Sequence, residues 1–175
     1  MKPFITTLIC LVSLHLSAQN FKGMDKSPLD IVAYPTSYQV SDKAARVIYS
    51  RPQLKGRDLN DLAPAGKVWR TGANETTEIQ LFKPLKFGNT TLPEGTYSIF
   101  TIPGEDSWTL ILNKAQNTWG AYSYNDDLDV VRISAPVTSA SESLEAFSIA
   151  FEERADGMDL HMGWGTVRVA FPILF

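Results

Sequence analysis

From about Ala44 to the carboxyl end, apolar and polar residues alternate with period two, and turn residues interrupt the alternation roughly every 8 to 12 positions. No stretch carries a helical period, so the pattern predicts a predominantly β chain. Ala44 to Ser50 reads as a strand ended by Arg51-Pro52. Gln53 to Gly66, which holds Lys55-Gly56-Arg57-Asp58 and Pro64-Ala65-Gly66, reads as a long surface loop with one helical turn. Thr76 to Phe82 alternates again, and Leu85 with Phe87 runs into Gly88-Asn89, a two-residue hairpin turn. Leu92-Pro93-Glu94-Gly95 feeds the strand Thr96 to Ile102, which Pro103-Gly104-Glu105-Asp106 turns back into Trp108 to Asn113.

These last two segments are apolar at nearly every position, which predicts central strands covered on both faces. Leu128 to Ala135, Leu144 to Glu152, Met158 to Trp164 and Thr166 to Ile173 complete the set, with Asp156-Gly157 as a further tight turn. Roughly nine or ten strands with no internal repeat predict one antiparallel β-sandwich domain over residues 29–175. Met158, Leu160, Met162 and Trp164 share one strand face, and Val167, Val169, Phe171 and Ile173 another. The run of alternating apolar residues back from Phe175 resembles the closing strand of an outer-membrane barrel. Pro172 and the apolar nature of both faces of Thr96 to Ile102 argue against that architecture.

Residues 1–18 combine a basic start at Lys2, an apolar core from Leu8 to Leu16 and a small-residue exit at Ser17-Ala18, the form of a signal peptide cleaved after Ala18. The apolar run falls short of the roughly 20 residues a membrane span needs. The expectation is therefore an exported protein, periplasmic or extracellular, with a flexible lead-in over residues 19–28 and no membrane span after cleavage. Cleavage removes Cys10 and His15, leaving His161 as the sole histidine and no disulfide. The balance of 16 basic to 19 acidic residues gives no electrostatic case for nucleic acid.

The chemistry is concentrated in Trp69-Arg70-Thr71-Gly72-Ala73-Asn74-Glu75. Arg70 offers a fork of donors suited to a carboxylate or phosphate, Glu75 could be its internal partner, Gly72 suits a backbone angle closed to other residues, and Asn74 can cap a turn. The run is thus either a structural clasp or a binding site. Arg51, Arg57 and Lys67 lie on flanking loops, and their convergence on this corner would favour an anionic ligand. A second cluster joins Asn113 and Lys114 to Trp119, Tyr122 and Tyr124, rings that either stack on a sugar or peptide or close the end of the sandwich.

Asn125, Asp127 and Asp129 lack the glycine and glutamate of a calcium loop and read as a solvated acidic turn, so no metal is expected. His161 falls on the polar face of its strand with Asp159 and has no nucleophile elbow beside it. After cleavage no cysteine and histidine set for zinc remains. There is no phosphate-binding or dinucleotide loop, so no cofactor is expected.

The series Arg51-Pro52, Lys55-Gly56-Arg57, Lys67 to Glu75, Leu92-Pro93-Glu94-Gly95-Thr96-Tyr97, Trp108-Thr109-Leu110, Asn113-Lys114, Trp119-Gly120 and Asp129-Val130-Val131-Arg132 resembles the bacterial domain-of-unknown-function family 2911. The resemblance covers nearly the whole chain after the leader and implies a small exported protein of Gram-negative bacteria. It assigns no catalytic residue. The sequence thus supports a binding module for a small anionic, glycan or peptide ligand, with a carboxylate-based hydrolase and an envelope interaction protein as alternatives.

Overall fold

The computed structural model describes residues 19–175. The signal-peptide reading falls on residues 1–18 and lies outside them. The described chain is built from ten strands: β1 (Leu29–Tyr34), β2 (Ala45–Ser50), β3 (Thr77–Leu81), β4 (Leu85–Phe87), β5 (Thr90–Leu92), β6 (Gly95–Ile102), β7 (Ser107–Asn113), β8 (Asp129–Pro136), β9 (Thr138–Arg154) and β10 (Gly157–Leu174). A four-residue helix, α1 (Leu59–Leu62), is the one helical turn expected in the long loop, and Asp58 caps it by accepting from the Asn60 amide.

The strands form two antiparallel sheets, one ordered β1-β2-β3-β6-β7-β8 and the other β5-β4-β10-β9. The result is an all-β sandwich and not a closed barrel. Between the sheets lie the inward residues of each strand, among them Val47, Ile79, Ile99, Leu110, Phe147, Leu160 and Phe171, all essentially inaccessible to water. Alternation dictates this, because each strand turns every second side chain to the same side. The two faces read from the sequence in β10 both point inward, since Met158, Leu160, Met162 and Trp164 are buried together with Val169, Phe171 and Ile173.

Two features of the fold depart from the period-two reading. The segments around Met158 and Val167 are one continuous strand, whose register against β9 shifts at Gly163/Gly165 and again at Gly165/Val167. Gly165 sits at φ +55°, so the glycines bend the strand through a bulge and do not end it. β1 was not anticipated, because its inward positions include Asp30 while Leu29 and Ile31 face out, which reverses the usual order. Asp30 tolerates that position by pairing with Arg51 at 3.1 Å. Its Oδ1 also accepts from the Ile31 amide at 2.8 Å, which occupies a donor at the sheet edge.

The sheets are also stitched by polar groups. Tyr49 projects from β2 so that its hydroxyl accepts from the Ile149 amide of β9 at 3.0 Å. Arg51 donates to the Phe147 carbonyl and to Ser148 Oγ of the same strand at 3.1 and 2.7 Å. These side chains satisfy backbone groups of β9 on the edge where its only backbone pairing among the described residues is the short bridge of Gln53 to Ala146.

The opposite face of the larger sheet is covered in part by the 114–128 segment. Phe100 and Ile111, which are paired neighbours on β6 and β7, point outward yet are buried. Tyr124 lies edge-on to Phe100 with ring centroids 4.9 Å apart, and Ser98 Oγ donates to the Ala115 carbonyl at 2.7 Å. This is the two-sided burial expected of the central strands.

Candidate functional site

The run from Trp69 to Glu75 divides into two halves with different roles. Trp69 forms an isolated antiparallel bridge with Thr101 of β6, on the line that β3 continues from Thr77. The chain leaves that line after Arg70 and rejoins it at Thr77, whose amide donates to the Arg70 carbonyl at 3.2 Å. Two non-glycine residues in the left-handed region, Thr71 at φ 56° and Asn74 at φ 60°, make the excursion. Gly72 does not share that conformation. It is needed for close approach, because a β-carbon there would sit 3.0 Å from both the Ser50 carbonyl oxygen and Thr77 Oγ1.

The first half is a clasp. Trp69 is buried in the core, stacked on Trp164 with centroids 5.6 Å apart and edge-on to Phe147 and Trp108 at 5.0 and 6.0 Å. It therefore presents no surface to a ligand. Thr77 Oγ1 donates to the Thr71 carbonyl at 2.6 Å, and Thr71 Oγ1 meets Thr101 Oγ1 at 3.1 Å, all in the interior. Arg70 is half-buried, with its Nε enclosed and without a hydrogen-bond partner among the described residues. It does not pair with Glu75.

The second half holds a loop in place. The Asn74 carbonyl accepts from the Gly120 amide at 3.0 Å, and the Thr76 amide donates to the Thr118 carbonyl at 2.9 Å. Between them Glu75 bridges Trp119 in antiparallel register. Thr76 Oγ1 donates to the Gly120 carbonyl at 2.6 Å, and Glu78 Oε1 accepts from the Asn117 amide at 2.8 Å. These bonds hold Trp119 at 59% exposure, in contrast with the other three tryptophans, which are buried.

Asn74, Glu75, Glu78, Asn117 and Trp119 line an open cleft of about 430 Å³. Its floor is the outward face of β2 at Ile48 and Ser50, and the lead-in supplies the far wall through Lys22, Asp25 and Ser27. The Ser27 amide and then the Asn74 side chain hold the Asp25 carboxyl below the usual carboxylate range. Three carboxylates therefore face one lysine, so the cleft is acidic.

The remaining expected residues do not converge there. Arg51 is spent on Asp30 and β9 as described. Arg57 folds back on its own loop, donating through Nε and Nη2 to the Leu54 and Gln53 carbonyls at 3.0 and 2.7 Å. Lys67 and Lys114 are exposed and do not line the cleft. Arg51 and Arg57 are held by carbonyls and an acid of their own neighbourhoods, so they do not converge with Lys67 into a cationic corner at Asn74 and Glu75.

Asn113 is fully buried and structural. Its Nδ2 donates to the Asn125 carbonyl and Asp129 Oδ1, and its Oδ1 accepts from the Ala115 amide. Tyr124 donates to Asp129 Oδ2 at 2.6 Å and accepts from Arg132 at 2.7 Å, while Tyr122 stays exposed. Burial, and then the hydrogen bond to Asp129, push the Tyr124 phenol up to about 12. His161 lies on the outer face of the smaller sheet, 2.9 Å from Glu152.

A family model described as a protein of unknown function, DUF2911, matches residues 30–173. The chain belongs to the DUF2911 family. No curated protein and no solved structure matches it. The DUF2911 match begins at Asp30, so the lead-in residues Lys22, Asp25 and Ser27 that wall the cleft precede the matched segment. Sequence reasoning found Asn74, Glu75 and Trp119 but not Asp25, Glu78 or Asn117. The available signal was alternation, which puts Glu78 on the outward face of β3 beside Ile48 of β2.

Proposed function

We propose that this protein is an exported binding module whose cleft takes a neutral or amine-bearing sugar unit of a glycan. One observation carries the reading: an exposed tryptophan is held by the backbone beside two amides and three carboxylates, in an open cleft. A flat ring supplies a stacking surface for the apolar face of a sugar, and carboxylate and amide oxygens accept from its hydroxyls. Such sites combine one apolar contact with a few placed polar groups. The excess of carboxylates disfavours an anion in the cleft itself, because like charges repel in a partly desolvated site.

The test is a titration of the purified protein with neutral, amino and acidic oligosaccharides, read by the long-wavelength edge of tryptophan emission. Trp119 dominates that edge, since Trp69, Trp108 and Trp164 are no more than 5% exposed. Saturable change with a neutral or amino oligosaccharide, lost in Trp119→Ala, is the expected result. No saturable change with any of them would reject the reading.

A hydrolytic reading draws on the same carboxylates, since glycoside cleavage needs a pair of them. It predicts that Glu75→Gln or Glu78→Gln keeps capture but abolishes reducing-end release, whereas a binding module releases none to begin with.

A further inference from the structure

Beside the acidic cleft lies a second groove of opposite sign, about 490 Å³ in volume and lined by Lys26, Ser27, Gln53, Lys55 and Arg57. Ser27 lines both. Consecutive residues of the lead-in divide the charge, Asp25 lining the cleft and Lys26 the groove. Asp25 Oδ1 accepts from the Ser27 amide at 2.7 Å.

The groove's cations are placed by the backbone. Leu54 to Arg57 form a tight turn in which the Arg57 amide donates to the Leu54 carbonyl at 3.0 Å. Lys55 at φ 50° and Gly56 at φ 74° both occupy the left-handed region, as a type I′ turn requires. Lysine is poorly suited to that conformation, so its presence at the tip carries a conformational cost that asparagine or glycine would reduce. Glu145 anchors the turn from β9, its carbonyl accepting from the Leu54 amide and its Oε1 from the Lys55 amide at 2.7 Å. Arg57 is fixed by its two bonds to backbone carbonyls, which leaves Nη1 free among the described residues.

None of Lys26, Lys55 and Arg57 forms an ion pair with a described residue, whereas Arg51, Arg132 and Arg154 all do. Three unneutralised cations, a hydroxyl and an amide therefore share one concavity in a chain of net charge −3. Asp25 lies near Lys26 and Glu145 Oε1 binds the Lys55 amide, but neither carboxylate pairs with a side-chain cation of the groove, so an oxyanion there would accept from donors that no described residue occupies.

We infer that this groove is an oxyanion subsite, taking a phosphoryl or carboxylate group. Together with the sugar cleft across Ser27, it selects a glycan that carries an acidic substituent on a neighbouring unit. The spanning arrangement rests on the glycan reading of the cleft; the oxyanion subsite does not.

The test is amide chemical-shift titration of the purified isotope-labelled protein with inorganic phosphate in one arm and glucuronate in the other. The expected result is saturable shifts confined to Lys26, Ser27, Gln53, Lys55 and Arg57, with a midpoint below about 10 mM in at least one arm. The arm with the lower midpoint identifies the substituent. Lys26→Gln combined with Lys55→Asn, which keeps a residue suited to the left-handed turn, should weaken binding at least about tenfold. Lys86→Gln on β4 should leave it unchanged. Shifts spread over all lysines, or a midpoint unaltered in the double variant, would overturn the subsite. Trp119→Ala leaves the phosphate arm intact and abolishes capture of a neutral oligosaccharide, so failure of the cleft and failure of the groove are separable.

Discussion

Replacing Tyr49 with Phe tests how the two sheets are joined. The ring stays, so packing against Phe147 is preserved, with centroids 5.9 Å apart. What is lost is the hydroxyl that accepts from the Ile149 amide at 3.0 Å, together with longer contacts of 3.4 Å to the Ile149 carbonyl and Asp30. Ile149 is buried at 4% exposure, so its amide is left inside without an acceptor. An orphaned buried donor costs about 1–3 kcal/mol, against which the freed dehydration of one hydroxyl is a minor gain. We expect a net loss of about 2 kcal/mol. For a domain of about 150 residues this lowers Tm by about 4–8 °C. Thermal unfolding followed by circular dichroism reads the shift, and hydrogen exchange should show accelerated exchange at Ile149. A loss below about 0.5 kcal/mol, the scale of an inert surface change, would refute the claim that this hydroxyl ties β9 to β2.

Gly72→Ala should destabilise by about 1 kcal/mol in chemical denaturation, since crowding of the Ser50 carbonyl and Thr77 hydroxyl at 3.0 Å outweighs the entropy gain of removing a glycine; a stabilised variant would show that the close approach is not needed. Trp119→Ala should change stability by less than about 0.5 kcal/mol, because the ring is largely exposed, and a larger loss would make it part of the fold. Long-wavelength tryptophan emission should be quenched more by caesium than by iodide, and Glu75→Gln with Glu78→Gln should erase the difference; a preference for iodide would contradict an acidic cleft. Above the ordinary phenol value of 10.0, the unfolded chain loses the Tyr124 proton while the folded chain keeps it to about 12. The unfolded state then binds fewer protons, so stability falls as pH rises across that window. Tyr124→Phe should shallow the fall, and an unchanged slope would show that the phenol is not held by Asp129.

The architecture was legible because most strands obey one rule, one face in and one face out. Gly88-Asn89 does turn β4 into β5, with Gly88 at φ 58°. The apolar run Thr96 to Ile102 does become a central strand buried on both faces. Where the rule failed, a local interaction had overridden it. Asp30 faces inward because Arg51 neutralises it, so β1 showed no usable alternation. Gly163 and Gly165 mimic a turn and make a bulge.

The site was half legible for a related reason. Residue type marked Asn74, Glu75 and Trp119, but type does not reveal which cations are already spoken for. Arg51 looks available in sequence and is held by Asp30, Phe147 and Ser148, and Arg57 is turned back onto the Gln53 and Leu54 carbonyls and lines the neighbouring groove in place of the cleft. Trp69 and Trp119 are chemically equivalent letters, yet register to Thr101 buries one and a bridge to Glu75 exposes the other. Long-range pairing decides that difference, and no local pattern encodes it.

The central claim is that the cleft beside Trp119 is where this protein meets its ligand. Titration with an oligosaccharide panel, followed through Trp119 emission in the unaltered protein and in Glu75→Gln, tests it most directly. Saturable change in the unaltered protein, weakened at least about tenfold by Glu75→Gln, is the predicted outcome. Saturable glycan capture that leaves Trp119 emission unmoved and survives Glu75→Gln would place the ligand elsewhere and contradict the account.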